Sequence, residues 1–337
     1  VPDSVCIIKE KAFENVVELS ELKMSSLVTE LKDDVFSRCK NLNYIMNTES
    51  ITNIGDRTFY GCKELDGLDA TDNVKLIGEE AFRYCSDLFS FSFTNNLKYI
   101  GNEAFAGCDS LDNVYLSNCN GLDLGYGAFM NCGSLESIEL PELPFIPGGA
   151  FEGCDNLKNI TFPQNYAPVF IGGSAFYGCS SLTSISLADG LIAIYDRAFE
   201  SCTNLSSVTI PESVLYIGEN AFNDCQYLET ISLPKNIKKI EFNAINTEEI
   251  YGYAGTVAET YAKNSNIRFI PIVEETEFKI GDVDGNGKVT ILDLVKLKKY
   301  ILNGTMEDDF LNLDVNNDQN INSIDLVALV NILIEND

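Results

Sequence analysis

The sequence contains no histidine and no tryptophan. Without histidine, Ser–His and Cys–His nucleophile pairs are excluded, and so is the commonest metal ligand. Basic residues are scarce. Lys and Arg number 23 against 51 Asp and Glu, for a formal net charge of −28. A surface of that sign disfavours nucleic acid and anionic membrane, which are both polyanions. No apolar run approaches the roughly 18 to 20 residues that span a bilayer. No signal peptide is visible, and Val1 stands where Met would start, so the chain reads as a mature or trimmed form. What is present looks globular. Its 337 residues are 45% hydrophobic and 22% charged, enough for two domains with at least one sizeable core.

A repeat dominates the first two thirds. Phe13, Phe36, Phe59, Phe82, Phe105, Phe129, Phe151, Phe176, Phe199 and Phe222 follow one another at steps of 22 to 25 residues, mostly 23. From the second motif on, a cysteine lies three residues after each Phe, from Cys39 to Cys225, which accounts for nine of the 11 cysteines. An alternating apolar run follows each cysteine, as in Leu135/Ile138/Leu140, Leu182/Ile185/Leu187 and Leu228/Ile231/Leu233. Residues two apart share one face of a strand. One such unit cannot bury its apolar face alone, whereas stacked copies bury all of them, so the pattern predicts a solenoid. A second short strand is expected before each Phe. It turns at a recurring Ile-Gly pair, as at Ile54, Ile77, Ile100, Ile171 and Ile217. The glycine there implies either a positive φ or close packing.

The cysteines read as structural. An odd total argues against a complete disulfide framework, and one thiol per turn without histidine is not zinc spacing. Parallel neighbours also keep their Cβ atoms about 4.8 Å apart, wider than a disulfide requires. A buried ladder of free thiols is the expectation.

These repeats resemble the BspA-like (Treponema-type) leucine-rich repeats of bacterial surface proteins. The resemblance covers residues 1 to about 245. "VPDSVCIIKEKAF" at Val1–Phe13 aligns with "IPESVLYIGENAF" at Ile210–Phe222, so the chain begins inside a repeat and the full-length protein is expected to extend further. The segment 250–271 breaks the pattern. It is expected to hold a short helix, Thr256 to Asn264, between two strand-like pieces, and to cap the array.

Solenoids act through an extended face. The outward positions fall five and seven residues after each cysteine. They are Tyr44, Gly67, Ser90, Asn113, Ser137, Asn159, Ser184, Ser207 and Thr230, and Met46, Asp69, Ser92, Tyr115, Glu139, Thr161, Ser186, Thr209 and Ser232. The later turns present hydroxyls and amides that read as a solvated face. Tyr44, Met46 and Tyr115 favour contact in the earlier half. The acids hold no paired positions of the kind glycoside hydrolysis needs.

The tail carries different chemistry. "GDVDGNGKVTILDL" begins at Gly281 and "LDVNNDQNINSIDL" at Leu313. Asp282, Asp284, Asn286 and Asp293 would supply side-chain oxygens in the first loop, with the Lys288 carbonyl. In the second loop the same roles fall to Asp314, Asn316, Asp318 and Asp325, with the Asn320 carbonyl. Oxygen donors at this spacing suit a hard cation such as Ca²⁺. Gln319 stands where Gly287 turns the first loop, which would reshape or weaken the second site. An apolar helix follows each loop, and "NGTMEDDFLN" between the two halves has room for one short turn.

Duplicated loop–helix units with Asp at the twelfth position closely resemble a type I dockerin. The resemblance implies two structural Ca²⁺ ions and docking onto a cohesin module of a scaffoldin, in a cellulosome-type assembly. Carried over position by position, it implies partner contact at Ile291, Leu292, Lys298 and Lys299, and at Ser323, Ile324, Val330 and Asn331. The Ile291/Leu292 pair would serve equally well as core in so small a domain.

The expected fold is an α/β repeat solenoid, mostly β, of about ten 23-residue turns, with a small all-α calcium-binding domain. Its expected parts are 1–249 solenoid, 250–271 cap, 272–279 linker and 280–337 dockerin. The expected role is non-catalytic recognition by a secreted, extracellular protein. Its partners are a cohesin and an unidentified protein or surface ligand of the solenoid, with no nucleic acid and no transmembrane segment. Other readings are a free-standing cell-surface adhesin, or an accessory part of a polysaccharide-degrading complex.

Overall fold

The computed structural model describes residues 1–68, 71–163, 168–187, 189–272, 280–283, 288–303, 313–316, 318 and 320–335. Asp69, Asp284, Asn286, Gly287, Gln319, most of the expected linker and most of the expected turn at 303–312 lie outside them. The chain divides into two compact units, Val1–Ile272 and Val273–Asp337.

The first unit is a β-solenoid of about eleven turns. Each turn contributes short strands to two parallel ladders. In one ladder Glu21–Lys23, Tyr44–Met46 and Gly67–Leu68 are neighbours, and Asn113–Tyr115, Ser137–Glu139 and Asn159–Thr161 are neighbours. Ser184–Ser186, Ser207–Thr209 and Thr230–Ser232 carry it on to Glu249–Gly252 and Arg268–Pro271. The second ladder runs through pairs such as Asn53–Ile54, Leu76–Ile77 and Tyr99–Ile100. Register keeps inward residues on inward residues, with Ile138 opposite Ile160 and Ile194 opposite Ile217. That repetition converts a two-residue alternation into one continuous core.

The anchoring phenylalanines form the spine of that core. Phe36 to Phe222 are fully buried, and their rings stack from Phe13 onward with centroids 5.1 to 5.7 Å apart. Ile245 takes the ring's place beyond Phe222 and bridges to it. One turn departs from the expected strands. Residues 88–94 form none, and Phe91 stands where other turns carry Leu, Ile or Val. The rings of Phe91 and Phe93 lean edge-on against Phe82, Phe105 and Phe129 and fill the core there.

All 11 cysteines are free, and every one except Cys6 is buried. Each repeat thiol donates to the carbonyl of the previous turn's phenylalanine, from Cys39 to Phe13 O at 2.9 Å to Cys225 to Phe199 O at 3.2 Å. The Phe36 carbonyl, for example, accepts both Cys39 N–H and Cys62 S–H at 3.0 Å. Cysteine therefore does what alanine cannot, because it fills a small apolar space and satisfies a carbonyl between turns. Burial pushes these thiols upward, Cys154 and Cys225 to about 12.

The Ile-Gly glycines are explained by close approach. A Cβ on Gly78 would lie 2.6 Å from Asp56 N, and one on Gly101 would lie 2.6 Å from Glu79 N. The positive φ angles fall elsewhere, two residues before and two after each Phe. Examples are Asp34, Arg57, Glu80 and Asn220 before it, and Arg38, Gly61, Tyr84 and Asp224 after it.

Helix α1, Val257–Asn264, closes the array one residue later than the sequence suggests, with Thr256 at its N-cap position. Buried Tyr261 reaches back to the last turn, where its hydroxyl accepts Ile245 N–H at 2.9 Å and donates to Ile245 O at 3.1 Å. Both backbone groups that another turn would have paired are thereby satisfied.

In the second unit, helices α2 (Ile291–Asn303) and α3 (Ser323–Glu335) pack around buried Val283, Leu297, Val315 and Leu329. Leu294, Ile301, Leu326 and Ile332 complete that core.

Candidate metal centre and partner surface

Both helices of the second unit start from their loops in the same way. The Thr290 backbone N–H donates to Asp293 Oδ2 at 2.7 Å, its hydroxyl donates to the same oxygen at 2.9 Å, and Asp293 N–H returns to Thr290 O at 3.1 Å. Thirty-two residues later, Asn322 N–H donates to Asp325 Oδ2 at 2.8 Å and Asp325 N–H returns to Asn322 O at 3.2 Å. Each aspartate thus caps its helix from the third position, as the acid of a capping box does. Asp325 has its other oxygen turned to the loop, where Oδ1 accepts Asn316 N–H at 3.2 Å. A shorter aspartate at the twelfth position fits this double duty.

The second loop is wound on its own side chains. Asp318 N–H donates to Asp314 Oδ1 and Asn316 Oδ1, both at 3.0 Å, and Asn320 N–H donates to Asp318 Oδ1 at 2.9 Å. These bonds gather Asp314, Asn316, Asp318, Asn320 and Asp325 into one turn. In the first loop Asp282 and Asp293 are buried and Lys288 is exposed. Asp284 and Asn286 lie outside the described residues.

The donor set fits a hard cation. Asp282, Asp293 and Asp325 are 3%, 0% and 0% exposed, and among the described residues of the unit they share the interior with the buried apolar side chains of Val283, Leu297, Val315 and Leu329. Buried carboxylates demand compensation. From Ile280 onward the sequence offers oxygen but neither histidine nor cysteine, which suits Ca²⁺ rather than zinc. Among the described residues, no three His, Cys, Asp or Glu side chains meet as a cluster by themselves.

The residues expected to touch a partner lie outside the small core. Ile291, Leu292, Ile324 and Val330 are 72%, 63%, 57% and 36% exposed, and Lys298, Lys299, Ser323 and Asn331 are exposed as well. Ile291 and Leu292 are thus exposed side chains of α2 rather than members of the buried core. Sequence reasoning missed Val295, Leu302, Val327 and Ile334, which are also exposed. The signal was available, because all fall on the same 3.6-residue stripe as the others, and Val327 and Ile334 repeat Val295 and Leu302 at the 32-residue offset.

On the solenoid, Tyr115 is exposed while Tyr44 and Met46 are half-buried. Gly67 is buried, and the hydroxyl-bearing positions from Ser184 to Ser232 are exposed. Among the described residues no helix is long and apolar enough to cross a membrane.

Comparison with known proteins adds the following. A BspA type leucine rich repeat region matches residues 6–123 and 122–251, in six copies. A dockerin type I domain matches residues 280–334. Among solved structures, a leucine-rich repeat protein from Bacteroides ovatus is 24% identical, covering 70% of this chain and 86% of that one, with a TM-score of 0.40. The leucine rich repeat protein of T. pallidum is 30% identical over 49% of this chain and 78% of that one, with a TM-score of 0.45. The pneumococcal vaccine antigen PcpA is 16% identical over 79% and 91%, also at 0.45. No curated protein matches. Both matched regions are non-catalytic module types, and type I dockerin domains bind calcium.

Proposed function

The chain belongs to the BspA-type leucine-rich repeat family and carries a C-terminal type I dockerin domain, and on that premise we propose a secreted, non-catalytic recognition protein. In this reading, residues 1–249 form the recognition solenoid, 250–271 its cap, 272–279 a linker and 280–337 the docking domain. The solenoid presents a surface to a protein or surface ligand. The docking domain fastens it to a cohesin of a scaffoldin.

Two Ca²⁺ ions would be held by Asp282, Asp284, Asn286, Asp293 and the Lys288 carbonyl, and by Asp314, Asn316, Asp318, Asp325 and the Asn320 carbonyl. The ion's contribution is charge, which offsets buried carboxylates and fixes each loop against its helix. The chain's own residues do the rest. Asp293 and Asp325 start the helices, and the helices hold two matching stripes outward. Contact would come from Ile291, Leu292, Lys298 and Lys299 on α2, or from Ser323, Ile324, Val330 and Asn331 on α3. The α2 set, with its apolar pair beside two lysines, is the more distinctive.

The supporting observation is that an exposed apolar stripe recurs on both helices while the twelfth-position aspartates are fully buried. A small domain has little apolar surface to spare unless a partner covers it. Titration calorimetry of the full chain against type I cohesins tests this. Binding is expected in Ca²⁺ and should vanish in excess chelator. A chain that binds no cohesin in Ca²⁺ overturns the docking assignment.

A further inference from the structure

At the corner that follows the phenylalanine spine, the second to fifth turns enclose a shallow groove of about 530 Å³. Arg38, Lys40, Tyr60, Lys63, Tyr84 and Ser86 line it, with Gly61, Gly107 and Asp109.

Its charge is anomalous for this chain. Acids outnumber bases 51 to 23 overall, yet Arg38, Lys40 and Lys63 are exposed and, among the described residues, none has a carboxylate within ion-pairing distance. Lys40 and Lys63 each follow the repeat cysteine in neighbouring turns, so the two cations leave the same corner one repeat apart. Like charges held close together repel. In later turns this position holds Ser86, Asp109, Gly133, Asp155, Ser180, Thr203 and Gln226, and the cation pair does not recur.

Its aromatic content is anomalous too. Tyr84 has φ +64°, where the same position in other turns carries Asn, Gly, Ser, Asp or Arg. A bulky residue there is strained, and strain of this kind collects at functional sites. The residue is 44% exposed all the same. Gly107 makes room for it, since a Cβ there would come within 2.8 Å of Tyr84 Cδ1. Tyr60 meets Tyr84 edge-on at 5.7 Å, and the Arg38 guanidinium lies 5.9 Å from the Tyr60 ring centre.

The geometry points to a binding site for an anionic polysaccharide segment. A sugar ring offers a C–H face to tyrosine, its carboxylate or sulfate meets Arg38, Lys40 and Lys63, and its hydroxyls reach Ser86 and Asp109. An acidic peptide fits less well. Clusters of cations do bind acidic peptides, but they need no aromatic faces to do so, and Tyr60 and Tyr84 would be left without a role. Nucleic acid fits worse, because its charge recurs about every 1.7 Å and the chain's net −28 opposes it. A glycan with one charge per sugar or per disaccharide meets less of that repulsion.

This deepens the reading of the solenoid as the recognition part and is independent of docking. The test is affinity electrophoresis of the full chain, in Ca²⁺, through native gels containing hyaluronan, chondroitin sulfate, dextran or poly-glutamate. The two anionic glycans should retard the chain and dextran should not. Comparison of the two separates a carboxylate from a sulfate preference. The Lys40→Glu, Lys63→Glu double variant should weaken retardation roughly tenfold or more. Tyr84→Gly, which relieves the backbone, should weaken it roughly three- to tenfold. Cohesin titration of the same variants should be unchanged, so failure here is distinguishable from failure of docking. The proposal is overturned by no retardation in either glycan, by equal retardation in poly-glutamate, or by undiminished binding of the charge-reversed variant.

Discussion

The two units of this chain solve the problem of burial in opposite ways. In the solenoid each side chain packs on its own counterpart one turn away, with Phe on Phe, Cys on a Phe carbonyl and Ile on Ile. Stability there accumulates turn by turn through nearest-neighbour contacts. The C-terminal unit has no such series. It buries Val283, Leu297, Val315 and Leu329 alongside three carboxylates, Asp282, Asp293 and Asp325. So small a core needs a staple, and the carboxylates say what kind. A repeat is stabilised by more of itself, whereas the small unit, on the proposed reading, is stabilised by an ion.

The sharpest way to break that comparison is to remove the ion. Chelation should unfold the C-terminal unit and leave the solenoid folded. A site filled a thousandfold above its Kd contributes about 4 kcal/mol, comparable to the whole stability of so small a unit. Hydrogen exchange followed by peptide should show α2 and α3 losing protection while the strands keep theirs. Equal loss in both units would end the distinction. Within the solenoid, Phe105→Ala should cost about 3 to 5 kcal/mol, because a buried ring leaves a cavity that rigid neighbours cannot close. Phe13→Ala should cost much less, since Phe13 is only half-buried and has one stacking partner in the spine. Urea unfolding of both variants checks the gradient.

How much of this could be read from sequence depended on periodicity. The turn length, the inward triplets and both loops were legible because each recurs at a fixed interval. The left-handed residues were not, because Asp, Asn, Arg, Glu, Tyr and Gly share those positions and no single residue type marks them. The Ile-Gly pair left positive φ and close packing both open, and close approach of the previous turn is the one that explains it. The lapse at 88–94 was hidden because Phe91 and Phe93 keep the alternation of the strands in other turns. Exposure of Val295 and Val327 was obscured by composition, since a helix rich in apolar residues does not announce which of them face outward.

Alkali should separate the units next. The buried thiols have ordinary values near 9 when unfolded and are raised by burial, Cys154 to about 12. A raised thiol is protonated in the folded state after the unfolded chain has lost its proton. Its contribution is therefore intact below about pH 9 and is lost progressively as pH rises toward 12. Each such thiol lowers stability by about 1.4 kcal/mol per pH unit within that window. The solenoid, with nine on one ladder, should collapse over a narrow alkaline range. Cys132→Ala should soften the slope at a neutral-pH cost of about 1 to 3 kcal/mol. Circular dichroism against pH reads both. A slope unchanged by removing a thiol would mean that the ladder does not titrate with unfolding.

The smallest effect is the most discriminating. Arg57 and Asp34 occupy the same left-handed position in neighbouring turns and pair through two bonds, Nε to Oδ1 and Nη2 to Oδ2, both 2.9 Å. The arginine side chain is 46% exposed and the aspartate 9%. Arg57→Lys keeps the charge and the backbone but loses the fork. Solvent around the arginine screens what remains, so the loss should be about 0.5 to 1 kcal/mol and should shrink further in high salt. Urea midpoints at low and high salt would measure it. If this single well-formed ion pair cost several kcal/mol, electrostatics would govern the solenoid as it is proposed to govern the loops of the C-terminal unit. A loss below about 1 kcal/mol leaves the solenoid to its apolar ladder and confines decisive charge to Asp282, Asp293 and Asp325.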